Sequence, residues 1–285
     1  LQGASRKSYV AILNHNLATS VGKIRISAGD IASDVAAVDG ANVEIADLST
    51  NGWTDLTVTD VVNADTRTVS SDEKSIVIEP ATDGSTIIKF TEASLRHWGI
   101  QFEGNTTNTG NATDGTWGST NLFCGCICVG EAYSMVHAPD LSVRRSILFD
   151  QVDVVESVGG RRFGNMTSAG RQVSSTTRSP FSLSSYAHSI YGGRLAYDLN
   201  FSFLASTDVM PDEYHTMSTY DAVVEDIWNK TNGSHIPFIF SIDKDSEGAG
   251  AESEHILARF RQNTLDMTQV AYDMFNISMR IEEEF

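Results

Sequence analysis

The strongest constraint in this chain is a two-residue rhythm of apolar and polar side chains. Successive strand residues point to opposite faces, so alternation buries one face of a β-strand, whereas a helix needs apolar residues three and four apart. Lys23-Ile24-Arg25-Ile26-Ser27 alternates without a break, and Ser75-Ile76-Val77-Ile78-Glu79 and Thr86-Ile87-Ile88-Lys89-Phe90 repeat the theme in more apolar form. Residues 8–13, 98–102 and 123–129 are further short runs of strand type. Gly, Asn, Asp and Thr cluster between them, the residues that make turns. The longest such interval, residues 103–120, reads as a polar, exposed loop that carries Trp117.

Beyond residue 140 the strands lengthen. Ile147-Leu148-Phe149 and residues 152–155 are followed by GRLAYDLNFSFL at 193–204. A terminal run over 270–284 alternates through Met274, Ile277, Met279 and Ile281. Residues 157–179 are polar and carry Arg161, Arg162, Arg171 and Arg178, which fits a solvated loop or an arm that orders against an acidic neighbouring subunit. One helix interrupts the pattern. Ser218 and Asp221 have capping-box spacing, and Tyr220, Val223, Val224, Ile227 and Trp228 form one apolar stripe before Asn232-Gly233 stops it. A buried strand follows over 235–242. The expectation is a mainly β protein of two β domains joined near residues 136–142, with one helix packed on the second.

Charge narrows the function classes. The chain has 285 residues, 37 acidic against 20 basic, for a net charge of −17. Nucleic-acid binding relies on Lys and Arg displacing condensed counterions, so such an acidic surface argues against specific DNA or RNA binding. It is compatible with DNA passing nearby without adhering. A hydrophobic content of 41% is that of a globular protein. No apolar run reaches the ~18 residues a membrane span requires, and no signal-peptide pattern opens the chain.

Three motifs invite chemistry. All the cysteines, Cys124, Cys126 and Cys128, lie within the stretch NLFCGCICVG. In a strand they share a face about 6.6–6.8 Å apart, opposite Gly125, Ile127 and Val129. Structural zinc and iron–sulfur clusters want four ligands, and a fourth would have to come from a distant histidine, with His15, His97 and His137 the options. The favoured expectation is therefore small apolar side chains in a core strand. DKDSEGAGAESE at 243–254 matches a twelve-position calcium loop, with Asp243, Asp245, Glu247, Gly248 and Glu254 in register. A strand precedes it where a helix is usual, and Gly250 stands where an apolar residue is usual. The alternative is an acidic hairpin loop with solvated charges. His15, within Asn14-His15-Asn16, has the chemistry of a general base or of a hydrogen-bonded turn residue. Asp212-Glu213 is one of many acid pairs expected by chance among so many carboxylates. Asn105, Asn111 and Asn276 begin glycosylation triplets that matter only in a secreted eukaryotic protein. No nucleophile elbow, zinc-protease motif, phosphate loop or dinucleotide glycine pattern is present, and no enzymatic activity is expected.

Three ordered segments carry a resemblance. Ala11-Ile12-Leu13-Asn14-His15-Asn16-Leu17 with the strand at 22–27, then Arg96-His97-Trp98-Gly99-Ile100-Gln101-Phe102, then Gly125-Cys126-Ile127-Cys128-Val129-Gly130-Glu131-Ala132 resemble galactose-binding-like (discoidin-type) jelly rolls of bacteriophage tail proteins. The second half resembles distal-tail and tail-tube proteins through Tyr191-Gly192-Gly193-Arg194, the single helix, the Pro237-Phe238-Ile239-Phe240 strand and the acidic terminal strand. The resemblance implies a jelly-roll β-sandwich over 1–138. Over 139–285 it implies a tail-tube-like β-sandwich or barrel with a helix at about 218–231. It further implies a structural virion protein forming a ring, commonly a hexamer, around a DNA channel and docking other tail or neck proteins. In jelly rolls of this kind ligands sit in loops at one end, which singles out Asn14, His15, Asn16 and Trp117 as glycan contacts. A carbohydrate-binding adhesin module is thus the alternative function, and calcium the one candidate cofactor.

Overall fold

A computed structural model of the chain describes residues 6–30, 56–64, 66–69, 76–104, 117–118, 120–149, 152–166, 172–174, 190–191, 193–210, 222–243, 245, 247–248 and 251–284. The protein is mainly β, with antiparallel sheets and, among the described residues, only short helices. It divides into two compact units. Leu1–Ala132 with Ser241–His255 form the first, and Tyr133–Phe240 with Ile256–Phe285 form the second.

Among the described residues the first unit has eight strands: β1 (Lys7–His15), β2 (Gly22–Gly29), β3 (Val58–Val62), β4 (Thr66–Val69), β5 (Ile76–Glu79), β6 (Gly84–Ala93), β7 (His97–Gly104) and β8 (Cys124–Gly130). They build two four-stranded sheets, ordered β3-β6-β1-β8 and β4-β5-β2-β7. The pairs β1–β8, β2–β7, β3–β6 and β4–β5 nest like one long hairpin folded over on itself, which is the connectivity of a jelly roll. Alternation explains the core. Val10 and Ile12 from β1, with Ile88 and Phe90 from β6, meet Ile24 and Ile26 from β2 and Ile78 from β5 in one buried cluster. Each such side chain contributes about 1.5–3 kcal/mol when withdrawn from water. Trp98 of β7 stacks on Phe90 at 5.2 Å between ring centroids and donates its indole N–H to the Leu95 carbonyl.

The second unit is built on β9 (Arg144–Leu148), β14 (Arg194–Ala205), β15 (Phe238–Ser241), β16 (His255–Phe260), β17 (Met267–Ala271) and β18 (Met274–Glu283). Their order is β15-β16-β18-β14-β9, with β17 also on β18. The predicted period-two pattern gives direct cross-strand pairs, Tyr197 with Ile281, Leu199 with Met279 and Phe201 with Ile277, all buried on one face. A short helix, α1 (Ser206–Val209), follows β14, and a second, α2 (Val223–Asn229), is wound with the wide i→i+5 turn. Val223, Val224, Ile227 and Trp228 of α2 pack into that core, Trp228 lying 5.0 Å from Phe260. Asp226 accepts the Ala222 N–H at 3.1 Å and so caps the first turn. Asn232 and Gly233, both with positive φ, end the helix as their identities predict. Ser218, Tyr220, Asp221 and Asp212-Glu213 lie outside the described residues. Two ribbons complete the unit, β10 (Val152–Glu156) with β11 (Arg162–Met166) and β12 (Gln172–Ser174) with β13 (Ile190–Tyr191).

The division between units falls at Ala132/Tyr133 rather than after residue 138, because Tyr133 and Met135 already pack on the second core. It also places Ser241–His255 with the first unit, a placement no local pattern announces.

Candidate functional site

The residues singled out as glycan contacts lie at the β1–β2 turn and before β8. Their polar atoms are largely committed to the fold. His15 is buried, its Nδ1 accepts the Leu17 N–H at 3.2 Å, and its Nε2 therefore carries the proton donated to Thr86 Oγ1 at 2.8 Å. Burial holds its pKa below the ordinary histidine value, with nearby Asp83 opposing the shift. It is thus a neutral, satisfied turn residue without access to a ligand. Asn16 is also buried, donating to the Asn121 carbonyl at 2.8 Å and accepting the Phe123 N–H at 2.8 Å. These two bonds stitch the β1–β2 turn to the segment leading into β8. Both residues are corrected from ligand contacts to structural ones.

Asn14 and Trp117 keep exposed surface. Asn14 sits at φ 52° with its backbone N–H on Ser85 Oγ, a left-handed position that Asn tolerates well. Trp117 leaves 41% of its surface exposed while its ring covers Gly22, where an added Cβ would come within 2.7 Å of the indole. Glycine at 22 therefore leaves the room that the ring occupies there. Most of the loop that carries Trp117, residues 105–116, lies outside the described residues, as do Asn105 and Asn111.

In the acidic loop, Asp243, Asp245 and Glu247 are exposed and Glu254 half-buried. The Asp243 carboxylate accepts the Asp245 N–H at 3.0 Å, a local turn bond. Gly248, at φ +83°, donates its N–H to the Val61 carbonyl at 2.7 Å and accepts the Asn63 N–H at 3.0 Å. The glycine that a calcium loop needs for its bend is used here to bridge to β3. Among the described residues no three His, Cys, Asp or Glu side chains converge as a metal site. His255, at the root of this loop, donates from Nδ1 to the Ala251 carbonyl, and burial lowers its pKa as it does for His15.

The cysteines share a face as expected, Cys128 opposite Ala11 and Cys126 opposite Leu13. The expectation of a core strand needs correction. β8 is an edge strand paired with β1, Cys126 is exposed, and Cys124 and Cys128 are half-buried. The Cys126 and Cys128 sulfurs lie 3.6 Å apart, in contact without a bond. Burial first, and then the neighbouring thiol, pushes the Cys128 thiol up to about 11. A thiol so shifted stays protonated at neutral pH and is a poor nucleophile.

A different set of residues has no counterpart among the sequence-predicted sites. Between Val136 and Phe163 of the second unit, Val136, Leu141, Val143, Ile147, Phe149, Val152, Val154, Val155, Val158 and Phe163 are all exposed. Isolated exposed apolar residues are ordinary, but so many within one short stretch of sequence set it apart from the rest of the described chain. The sequence shows these residues as apolar strands at 147–149 and 152–155, with nothing local to say whether their faces are covered. Comparison with protein-family models, with curated proteins and with solved structures finds no match to this chain.

Proposed function

We propose that the chain is a non-enzymatic structural protein of a bacteriophage tail. Its copies join into a ring, six in the family its sequence resembles, around a channel for DNA. The observation that carries the reading is the number of exposed large apolar side chains in the stretch from Val136 to Phe163, which a subunit destined for assembly would cover and a freely soluble monomer has no reason to keep. The net charge of −17 supports it further, since an acidic wall repels the DNA backbone and lets it slide. In this reading the jelly roll faces outward and docks other tail or neck proteins, and the mature location is the virion. The carbohydrate-binding alternative retains one favourable observation, the partial exposure of the Trp117 indole, a ring type on which a sugar can stack.

Light scattering and electron microscopy of the purified full chain separate the two. Rings or larger closed assemblies at micromolar concentration are expected, with no glycan retained on an array. A protein that stays monomeric at high concentration and binds glycans would establish the adhesin instead.

A further inference from the structure

Strand β8 brings two of the three thiols together. Cys126 and Cys128 share one face of the strand, opposite Leu13 and Ala11 of β1, and their sulfurs meet at 3.6 Å. A disulfide holds its sulfurs about 2.05 Å apart, so a further approach of about 1.5 Å separates this contact from a bond. Cys124 is turned elsewhere. Its S–H donates to the Cys126 carbonyl at 3.8 Å, and its side chain packs against the core of the first unit. Among the described residues no three His, Cys, Asp or Glu gather to hold a metal, which leaves the pair with the chemistry of two adjacent thiols.

The two thiols are not equivalent. Cys126 is exposed and is the one that a molecule arriving from solution meets first. Cys128 is half-buried and keeps its proton, for the reasons given above. An entering thiol needs access, whereas a resolving thiol needs only proximity to the bond it attacks, and groups held in contact react as though highly concentrated. The backbone can follow. In a regular strand Cα atoms two residues apart lie about 6.6–6.8 Å from each other, the far limit for a disulfide. Closing the bond therefore bends β8 at Ile127. Among the described residues β8 pairs only with β1, and Ile127 leaves 43% of its surface exposed, so the bend disturbs little packing. A bond closed against the extension of a strand is readily reduced, which is the behaviour of a reversible disulfide rather than a structural one.

We infer that Cys126 and Cys128 are a reversible dithiol–disulfide pair whose reaction partners are low-molecular-weight disulfides. The Cys126 thiolate attacks one sulfur of the incoming RSSR, forms a Cys126–SR bond and expels RS⁻, which takes up from water the proton that Cys126 lost. Cys128 then attacks the Cys126 sulfur. The mixed bond breaks as the Cys126–Cys128 bond forms, and the Cys128 proton passes to the second departing RS⁻. Two protein thiols are oxidised and one disulfide is reduced to two RSH, so atoms and electrons balance. Excess small thiol reverses both steps.

Intact-mass spectrometry of the full chain reads each step, because Cys124, Cys126 and Cys128 are its only thiols. The probe is 2-hydroxyethyl disulfide, which is uncharged and so is not repelled by the net charge of −17. Circular dichroism confirms that each variant is folded. Wild type and Cys124→Ser should both lose two hydrogens, with peptide mapping placing the bond between Cys126 and Cys128, and dithiothreitol should restore the original mass. Cys128→Ser should stop at a hydroxyethylthio adduct on Cys126. Cys126→Ser should form no internal bond and take up the probe about tenfold more slowly or worse, since the entering thiol is gone. The inference is overturned if Cys124→Ser stays a dithiol in excess probe or carries adducts without closing. A bond through Cys124 in wild type, or one that links two chains, overturns it equally.

Discussion

At the scale of single residues, His15 shows how a polar group can look like a site and act as a fastener. Its two ring nitrogens have opposite duties, one accepting from the backbone and one donating to Thr86, and only the neutral ring can perform both. Burial therefore depresses its pKa in the folded state relative to the unfolded chain. The consequence for stability follows from proton linkage. The unfolded state binds the extra proton more readily, so the His15 contribution is complete above the unfolded value of 6.5 and is lost as pH falls below it towards the folded pKa. His255 shifts in the same direction and adds to the effect. Melting temperature should thus decline between pH 7 and pH 5, before most carboxylates titrate. His15→Gln should cost about 1–3 kcal/mol at pH 7.5 and show a shallower decline. An unchanged pH slope in that variant would remove His15 from the account. The sequence revealed the residue types at this turn, Asn14-His15-Asn16, but not their occupation, because the partners Thr86 and Phe123 are remote in the chain.

At the scale of elements, close approach between strands is enforced where glycine leaves room. Gly193 opens β14 beside the end of β9, and a Cβ there would stand 2.5 Å from the Leu148 carbonyl oxygen and 2.6 Å from Ile147 Cγ2. A backbone oxygen cannot rotate away, so any side chain must displace β9, which is the edge strand of its sheet. Gly193→Ala is expected to destabilise the second unit by about 1–3 kcal/mol, the usual cost of overpacking. Faster deuterium exchange of the residue 144–148 amides would accompany it. Gly164→Ala, where nothing lies within 4 Å of the added Cβ, is the neutral control. Equal melting of the two variants would contradict the close approach. Elements of this kind were largely legible beforehand. Strands β1, β2, β5, β6, β7, β8, β14 and β18 all follow from alternation, since the period-two pattern is a local property. The pattern did not tell β8 and β10 from core strands. Whether an apolar face is covered depends on neighbours elsewhere in the chain, or on another molecule.

At the scale of the whole molecule, the two units are not consecutive lengths of chain. The chain leaves the first unit after Ala132, returns to it at Ser241, and departs again after His255. The returning segment is held by the bridge between Gly248 and β3, with Ala251 buried behind it. The motif that reads as a calcium loop has therefore a second physical account. Its acids are solvated, and its glycine supplies the positive φ that presents N–H and C=O together to Val61 and Asn63. No local rule could reveal this, because residues 61 and 248 are brought together only by the fold. Gly248→Val tests it in the intact chain. No atom lies within 4 Å of the added Cβ, so crowding is not the obstacle. The obstacle is the left-handed backbone, which costs an L-residue about 1–2 kcal/mol, and more when it is β-branched. The variant should release the segment from β3. The Asn63 amide should then lose protection from exchange, and the melting of the first unit should fall by several degrees for each kcal/mol lost. The second unit should melt as before, since its core draws on neither Val61 nor Gly248. Retained protection at Asn63 would mean that the segment is held by something other than this bridge. Calcium added at millimolar concentration provides the remaining comparison. Restoring the Gly248→Val variant to wild-type stability would support the loop as a cation site, whereas an unchanged melting curve leaves the segment as a strap that joins distant parts of the sequence into one unit.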